Sequence, residues 1–191
     1  MMANRDPLRA QFRAQRLALP ASARMDAAQA VAERLRQLPQ LATARHVAGY
    51  WAVHGELPLH ALLSPRPTFA YCLPQLIPGR LLRFSPWHQG EPLIQNRYGI
   101  PEPDQTPQLE PYELDVVLVP LVGFDHHGNR LGAGGGYYDR SFAFLKDLPR
   151  PARPLLIGIG YDFQQIETLP PQPWDVPMDR VVTPTRTLIC T

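Results

Sequence analysis

The chain has 191 residues, of which 45% are hydrophobic and 19% are charged, so it can bury a sizeable core and extensive disorder is excluded. Its formal net charge of +2 is small for a nucleic-acid-binding protein, and two cysteines are too few for a disulfide framework. No apolar run resembles a signal peptide or a membrane-spanning helix. These features predict a single domain over residues 1–191 in the cytoplasm, without nucleic-acid or membrane partners.

Two helices are predicted at the start of the chain. The first begins at Asp6, an N-cap residue followed by Pro7 at the first helical position, and it runs to about Leu19. The second begins near Ser22 and is stopped by Pro39. The helical period brings four basic side chains to one face of the first helix, namely Arg5, Arg9, Arg13 and Arg16. This stripe fits either a solvated face or a set of phosphate ligands, and the pattern alone leaves both open.

Strand and helix signals alternate through the rest of the chain. Strands are predicted at residues 46–51, 68–73, 81–84, 115–122, 155–161, 181–183 and 187–189, with a short helix at 57–63 and a longer one at 137–148. Residues 86–111 are rich in proline and predict an irregular excursion. The apolar run at 115–122 is typical of a central strand buried on both faces. The alternation predicts a three-layer α/β fold.

A glycine-rich segment follows the strongest predicted strand. Four of the five residues at 132–136 are glycine, which tolerates positive φ and lets another group approach the backbone. Amides of such a loop, between a buried strand and a helix, can point at an anion. The segment lacks the Gly-Lys-Ser/Thr ending of a Walker A loop, and Tyr137 replaces the third glycine of a dinucleotide fingerprint. A flexible turn is the alternative, but Arg130 before the segment and Tyr137-Tyr138-Asp139 after it favour phosphate binding.

The other polar candidates have plain structural explanations. Asp139 suits the first turn of a helix, where its charge favours the helix dipole, although a carboxylate there can also bind magnesium. Glu56 can cap the short helix that follows it, and His126 and His127 are expected to lie in a loop. No Ser/His/Asp nucleophile set stands out, so covalent catalysis has no support.

The segment from Pro120 to Asp139 resembles the signature of a known enzyme family. Its Pro120-Leu121-Val122-Gly123-Phe124-Asp125, Arg130-Leu131-Gly132, Gly134 and Gly136-Tyr137-Tyr138-Asp139 are similar to the signature of 5-formyltetrahydrofolate cyclo-ligases, also called methenyltetrahydrofolate synthetases. The resemblance extends along nearly the whole chain. It includes the arginine-rich first helix, the strand that leads to Glu56, and the motifs at residues 96–103, 158–161 and 174–177.

This resemblance implies a fold and a reaction. The fold would be a three-layer α/β/α sandwich with a mainly parallel central sheet, similar to ribose-phosphate isomerases. The reaction would convert 5-formyltetrahydrofolate to 5,10-methenyltetrahydrofolate while ATP is cleaved to ADP and phosphate, with Mg²⁺ bound. Transfer of the γ-phosphoryl group to the formyl oxygen would be followed by ring closure through N10 of the folate. Substrate atoms supply both nucleophiles, so the protein must position these small molecules and neutralise charge. A monomer is expected.

The resemblance also assigns roles to individual positions. Residues expected to contact the nucleotide are Arg5, Arg9, Arg130, Leu131, Gly132, Ala133, Gly134, Gly135, Gly136, Tyr137 and Tyr138. Residues expected to bind the folate are Trp51, Glu56, Tyr98, Gly134, Gly136, Tyr137 and Tyr138, with Glu56 as the acid that binds the pterin. Asp139 and Asp175 match the magnesium ligands, and the expected catalytic residues are Arg130, Tyr137 and Asp139.

Three positions depart from the pattern of many family members. Arg5 stands where many have lysine, Tyr98 stands where some have tryptophan, and Gly135 stands where some have a basic residue. The first two changes keep the charge and the aromatic face, so they bear on affinity more than on activity. The third is expected to move charge stabilisation onto Arg130 and magnesium.

Two alternative functions compete with this hypothesis. A sugar-phosphate isomerase would share the fold and need no ATP, but the two aspartates Asp139 and Asp175 and the adjacent tyrosines Tyr137 and Tyr138 argue against it. A non-catalytic RNA-binding protein would use the arginine stripe. The near-neutral charge and the lack of an RRM or KH signature argue against that function.

Overall fold

The computed structural model describes residues 5–104 and 108–190, so the predicted excursion at 86–111 is described except for 105–107. In these ranges the α-helices are α1 (Asp6–Ala18), α2 (Ala21–Arg36), α3 (Pro39–Thr43) and α4 (Tyr137–Ser141). Short 3-10 helices lie at His60–Leu63, Pro111–Glu113, Ala143–Asp147 and Asp162–Gln164. The strands are β1 (His46–Ala48), β2 (Ala70–Ile77), β3 (Leu81–Pro86), β4 (Ile94–Gln95), β5 (Pro101–Glu102), β6 (Val116–Pro120), β7 (Gly123–Phe124), β8 (Arg130–Leu131), β9 (Leu155–Ile159), β10 (Arg180–Val182) and β11 (Thr187–Ile189).

Seven strands form one sheet in the order β11-β10-β9-β6-β1-β2-β3. The five inner strands run parallel, and the antiparallel strands β11 and β3 form the two edges. In the centre, Val117 of β6 lies opposite Ala48 of β1 on one side and Leu156 of β9 on the other. The mainly parallel sheet is confirmed, and the expected likeness to ribose-phosphate isomerases stays a prediction.

Helices cover both faces of the sheet, because the side chains of β6 alternate between two cores. Val116 belongs to the core that includes Leu35 of α2, whereas Val117 belongs to the core that includes Phe142 and Leu145. All five side chains are at most 1% exposed. The two-residue period of a strand thus places β6 between two helical layers, as the apolar run predicts. No helix in the described part of the chain is long and apolar enough to cross a membrane.

Helix boundaries differ from the predicted ones for identifiable reasons. Pro39 begins α3, because proline fits the first turn of a helix. Asp6 is the first residue of α1 rather than its N-cap, and its carboxylate pairs with an arginine one turn along. The helix predicted at 137–148 is α-helical only to Ser141 and continues as a 3-10 helix. Phe142 and Leu145 are both fully buried, and their three-residue spacing suits the 3-10 turn.

The strand predicted at 46–51 is shorter than expected and ends at Ala48. The hydroxyl of buried Tyr50 donates a hydrogen bond to the Leu57 carbonyl at 2.6 Å, which ties the loop after β1 to the end of the strand. This loop, with a turn at residues 54–55, contains Trp51 and Glu56 after the carboxyl end of β1.

A small hairpin separates β6 from the glycine-rich segment. β7 and β8 pair antiparallel and lie between β6 and the glycine-rich segment along the chain. The segment therefore follows β8 rather than the central strand β6. Asp125 in the turn of this hairpin is completely buried and accepts the amides of His127, Asn129 and Leu169 at 3.0 Å. These hydrogen bonds satisfy the buried carboxylate and fix the hairpin to the segment around Leu169.

Candidate functional site

The glycine loop, residues 132–136, connects β8 to α4 and has open space beside it. Gly134 and Gly136 have φ angles of +104° and +70°, which side chains with a Cβ rarely adopt. A Cβ on Gly132 would meet no atom within 4 Å of the described structure, and one on Gly134 would have only Arg9 Nε at 4.0 Å. Another molecule can therefore approach this backbone closely.

The other loop residues differ in what they can offer a ligand. Leu131 is completely buried in β8, so only its backbone can meet a ligand, whereas Ala133 is exposed. The carbonyl of Gly135 accepts a hydrogen bond from Arg140 at 3.0 Å. Tyr138 stacks its ring on a phenylalanine of the core, so its side chain packs inward.

Helix α1 lies along the glycine loop and contacts it through two arginines. Arg9 donates its Nε–H to the Gly132 carbonyl at 2.9 Å, and Arg13 donates to the Ala133 carbonyl at 3.1 Å. Arg9 also pairs with Asp6 at 2.7 Å. The predicted arginine stripe is therefore directed at the loop at these two positions, rather than forming a purely solvated face.

Arg130 and Asp139, on either side of the loop, form an ion pair. The NH2 to Oδ1 distance is 2.5 Å, and the side chains are 5% and 20% exposed. The same carboxylate oxygen accepts the Val176 amide at 3.1 Å, and Arg130 also donates to the Val176 carbonyl. Although the resemblance implies a nucleotide contact for Arg130, its hydrogen bonds here are with protein groups, and they hold the two ends of the loop together.

Asp175 precedes Val176 and forms an ion pair with Arg5, the residue before α1. Its Oδ2 lies 3.0 Å from Arg5 NH2 and accepts the Gln172 amide at 2.9 Å. Asp139 and Asp175 each keep one carboxylate oxygen without a hydrogen-bond partner among the described residues. Magnesium is often held by one or two carboxylates together with substrate phosphates, so both residues fit such an ion. In residues 5–104 and 108–190, no three His, Cys, Asp or Glu side chains form a metal cluster by themselves.

Tyr137 at the start of α4 meets Tyr98 from the hairpin of β4 and β5. Their hydroxyl oxygens are 3.0 Å apart, and the rings are T-shaped with centroids at 6.2 Å. Arg97 lies over both rings, 5.2 Å and 5.8 Å from their centroids, and donates to the Tyr137 hydroxyl. Slight burial raises the pKa of Tyr137, but its hydrogen bonds with Tyr98 and Arg97 lower the pKa overall. The hairpin thus brings an aromatic ring and a cation to the end of the glycine loop.

Glu56 lies in the loop after β1 and has one oxygen available for a ligand. Its Oε2 accepts the Val53 amide at 3.0 Å, and Oε1 has no partner within the described ranges. It does not cap the following 3-10 helix, which lacks a side-chain cap. Burial raises the pKa of Glu56, whereas the Val53 amide and the charge of Arg16 lower it. Burial also raises the pKa of Tyr138, and the nearby Glu56 charge adds to this effect.

Arg16 connects the Glu56 loop to α1. Its side chain is 2% exposed and donates to the Leu121 carbonyl at 3.3 Å, while its Nε has no hydrogen-bond partner in the part of the chain described. Gly55, with φ +74°, packs directly on this helix turn, because a Cβ there would lie 3.0 Å from the Arg16 carbonyl. The loop that carries Glu56 therefore rests on the helix whose arginines contact the glycine loop.

Trp51 lies in the same loop as Glu56 and forms an aromatic pair with Trp87. It is 39% exposed and meets Trp87 edge-on, with ring centroids at 5.9 Å. No ring contact joins Trp51 to Tyr98 among the described residues. A cleft of about 310 Å³ borders Glu56, whereas a cleft of about 500 Å³ lies beside Trp87 and away from the glycine loop. Among the predicted folate residues, a ring contact therefore joins Tyr98 to Tyr137, whereas Trp51 packs on Trp87.

Some residues of this region were missed by the sequence assignment. Arg13 and Arg16 had a signal, because they belong to the arginine stripe of α1. Arg97 directly precedes Tyr98 in the motif at 96–103 and could have been noted with it. Trp87 lies in the segment predicted as irregular, and no periodic pattern marks it.

Comparisons with known proteins identify relatives along nearly the whole chain. Residues 1–184 match the 5-formyltetrahydrofolate cyclo-ligase family. The chain is 36% identical over 185 residues to the 5-formyltetrahydrofolate cyclo-ligase of Escherichia coli (strain K12), covering 92% of this chain and 97% of that protein. The enzyme of the same name from Haemophilus influenzae is 34% identical over 180 residues, covering 91% and 94% of the two chains.

Solved structures of related proteins share the fold. The 5,10-methenyltetrahydrofolate synthetase of Aquifex aeolicus superposes with a TM-score of 0.82 at 30% identity, covering 97% of this chain and 92% of that one. The synthetase of Mycoplasma pneumoniae gives a TM-score of 0.72 at 27% identity, covering 95% and 99%. With the family match over residues 1–184 and enzyme relatives of nearly full length, the chain belongs to the 5-formyltetrahydrofolate cyclo-ligase family.

Proposed function

We propose that this protein catalyses the ATP- and Mg²⁺-dependent conversion of 5-formyltetrahydrofolate to 5,10-methenyltetrahydrofolate, with release of ADP and phosphate. Relatives named for the cyclo-ligase and the synthetase support the folate substrate and product. The observation that carries the ATP-dependent part is the open glycine loop, with Arg9 and Arg13 bonded to it. Backbone amides and arginines are groups that bind phosphate oxygens.

Both bond-forming steps use atoms of the substrates. The formyl oxygen attacks the γ-phosphorus of ATP, and the bond to the leaving ADP breaks. N10 of the folate then attacks the activated formyl carbon and loses its proton, while the carbon–oxygen bond to phosphate breaks. The protein contributes position and charge neutralisation, which is the usual enzymatic task in phosphoryl transfer.

The family resemblance and the contacts in the structure together support the following roles. Loop amides at 132–136 and the guanidinium of Arg9 bind the phosphates. Arg5, one helical turn before Arg9, provides a further contact to the nucleotide. Arg130 holds Asp139 and the loop ends in place and adds positive charge near the transferring group. Tyr137 pairs with Tyr98 to pack against the folate and exclude water. The remaining folate contacts are assigned to Trp51, Glu56, Gly134, Gly136 and Tyr138.

Asp139 and Asp175 would hold magnesium through their free carboxylate oxygens, together with phosphate oxygens of the nucleotide. When bound, the ion neutralises charge on the triphosphate. Two salt bridges orient these carboxylates: Arg130 pairs with Asp139, and Arg5 pairs with Asp175.

A turnover assay tests the proposed function. Purified protein with Mg²⁺, ATP and 5-formyltetrahydrofolate is expected to form the methenyl product with one ADP released per folate. Extended conjugation through N5, the bridging carbon and N10 shifts the near-ultraviolet absorption, so the reaction can be followed directly. Omitting magnesium should stop it. A folded protein that binds both ligands but forms neither product nor ADP would overturn the proposal.

Gly134→Val is expected to abolish Mg-ATP binding while the protein stays folded. A branched side chain cannot readily keep φ +104° and would occupy the space through which the phosphates approach. Calorimetric titration with Mg-ATP measures the effect. Gly90→Val is the matched control, because Gly90 has φ +98° and its Cβ would meet no atom within 4 Å of the described structure. Normal ATP affinity in folded Gly134→Val would contradict the phosphate role of the loop.

We also propose, from the composition and the family, that the enzyme acts as a cytoplasmic monomer without a nucleic-acid partner. The near-neutral charge of +2 supports the last point. Light scattering after size exclusion, at the concentration of the turnover assay, would measure the oligomeric state.

A further inference from the structure

Three arginines donate hydrogen bonds to carbonyl groups of the glycine loop. The pairs are Arg9 with Gly132 at 2.9 Å, Arg13 with Ala133 at 3.1 Å and Arg140 with Gly135 at 3.0 Å. Two of the arginines come from α1 and the third comes from α4, so the loop is held from two helices.

These bonds fix the direction of the loop amides. In a planar trans peptide the carbonyl of one residue and the N–H of the next point in opposite directions, and none of the cis peptides of the described chain lies in this loop. Each of the amides of Ala133, Gly134 and Gly136 therefore points away from the arginine that donates to the carbonyl of the same peptide. None of the three has an acceptor among the described residues. The loop thus presents unpaired N–H groups on the sides that the arginines leave open.

We propose that Arg13 and Arg140 are positioning residues of the nucleotide site, which hold the loop carbonyls so that the amides of Gly134 and Gly136 bind phosphate oxygens of ATP. This inference rests on the proposed ATP-dependent function and names the residues that set the loop conformation. The two arginines act by fixing the backbone of the glycine loop, and their side chains do not contact the nucleotide.

The packing of Arg140 explains why glycine is needed at the end of the loop. Its NH1 lies 2.5 Å from the position that a Cβ on Gly136 would occupy, so any side chain there would displace the guanidinium. Gly136 also has φ +70°, which glycine adopts without strain. Both the backbone conformation and the hydrogen bond to Gly135 therefore depend on the missing side chain.

Pre-ordering matters because glycine-rich backbone loses much conformational freedom when it is fixed. A loop already held by its carbonyls loses less freedom when the phosphates bind, and affinity rises accordingly. Removing one arginine is therefore expected to loosen the loop in the free protein and to weaken nucleotide binding.

The first test measures the ligand-free protein. In Arg13→Leu and Arg140→Leu, the ¹⁵N order parameters of the Gly134 and Gly136 amides are expected to fall from about 0.85 towards 0.6 or below. Arg36→Leu is the matched control. Arg36 lies in α2 and also donates to backbone carbonyls, those of Ala61 and Ser64, but it does not contact the glycine loop. Unchanged order parameters in both loop variants would overturn the proposal.

The second test measures turnover. Each loop variant is expected to raise the KM for Mg-ATP roughly tenfold, with kcat and the KM for the folate nearly unchanged, whereas Arg36→Leu matches the wild type. If the ATP defect appears with a rigid loop and disappears at high salt, the arginines bind phosphate by charge, and the positioning role is wrong. If the wild type does not bind ATP, the proposed function fails, and the order parameters still decide whether the arginines hold the loop.

Discussion

Asp139→Asn is expected to lower kcat about 100-fold or more and to lower the free energy of unfolding by about 2–3 kcal/mol. Asp139 is the counter-charge of Arg130, whose side chain is only 5% exposed. Asparagine keeps an oxygen for the Val176 amide, but it leaves the buried guanidinium without an opposite charge. The same change removes one of the carboxylates proposed to bind magnesium.

Asp175→Asn is the matched comparison for that prediction. Its partner Arg5 is 14% exposed, compared with 5% for Arg130, so water can replace more of the interaction that the variant loses. We expect a kcat loss of roughly tenfold and a stability loss of about 1–2 kcal/mol, smaller than that of Asp139→Asn. Steady-state kinetics over a range of magnesium concentrations, with denaturant unfolding of each variant, measure both effects. Equal losses of activity and stability in the two variants would mean that the pair with Arg130 has no special role.

The sheet could be predicted from the sequence because each buried strand had a local signal. The apolar runs at 115–122 and 155–161 became β6 and β9 at the centre of the sheet. The ends of the elements could not be predicted, because tertiary contacts decide them. The loop after β1 is held by a hydrogen bond from Tyr50 to Leu57, and α4 ends where Phe142 and Leu145 pack into the core.

The candidate site was predictable where a motif or a spacing marked it. The glycine loop and the arginine stripe were both visible, and the structure brings Arg9 and Arg13 onto the loop. The partner of Asp139 was not predictable. The sequence was compatible with an interaction with the helix dipole or with a magnesium ion, whereas the structure shows an ion pair with the buried Arg130. The pair forms because the fold brings the start of β8 close to α4, and the spacing of residues in the sequence does not predict this contact.

Glu56→Gln is expected to weaken binding of 5-formyltetrahydrofolate roughly 10- to 100-fold while Mg-ATP affinity stays normal. The free oxygen of Glu56 can accept hydrogen bonds from pterin N–H groups, whereas a glutamine amide would turn donors towards donors. Glutamine can still accept the Val53 amide through its carbonyl oxygen, so the loop conformation is expected to survive.

Calorimetry with each ligand separately measures this selectivity. Glu91→Gln is the matched control, because Glu91 also accepts the amide three residues before it, that of His88 at 2.8 Å, but lies exposed elsewhere on the chain. An equal loss of both ligands in Glu56→Gln would assign Glu56 a structural role at the contact between Gly55 and Arg16 instead.

The pH dependence separates these two roles further. Burial raises the pKa of Glu56, partly offset by the Val53 amide and by the charges of Arg16, His54 and Arg13. A raised pKa means that folding disfavours the carboxylate, so stability from this group is greatest below its unfolded pKa and falls as pH rises through the folded value. At neutral pH, Glu56→Gln should therefore keep or slightly gain stability. Folate affinity of the wild type should fall as pH drops through the raised pKa, and the variant should lack this step. A variant that loses stability and keeps the same pH step would contradict the ligand-binding role of Glu56.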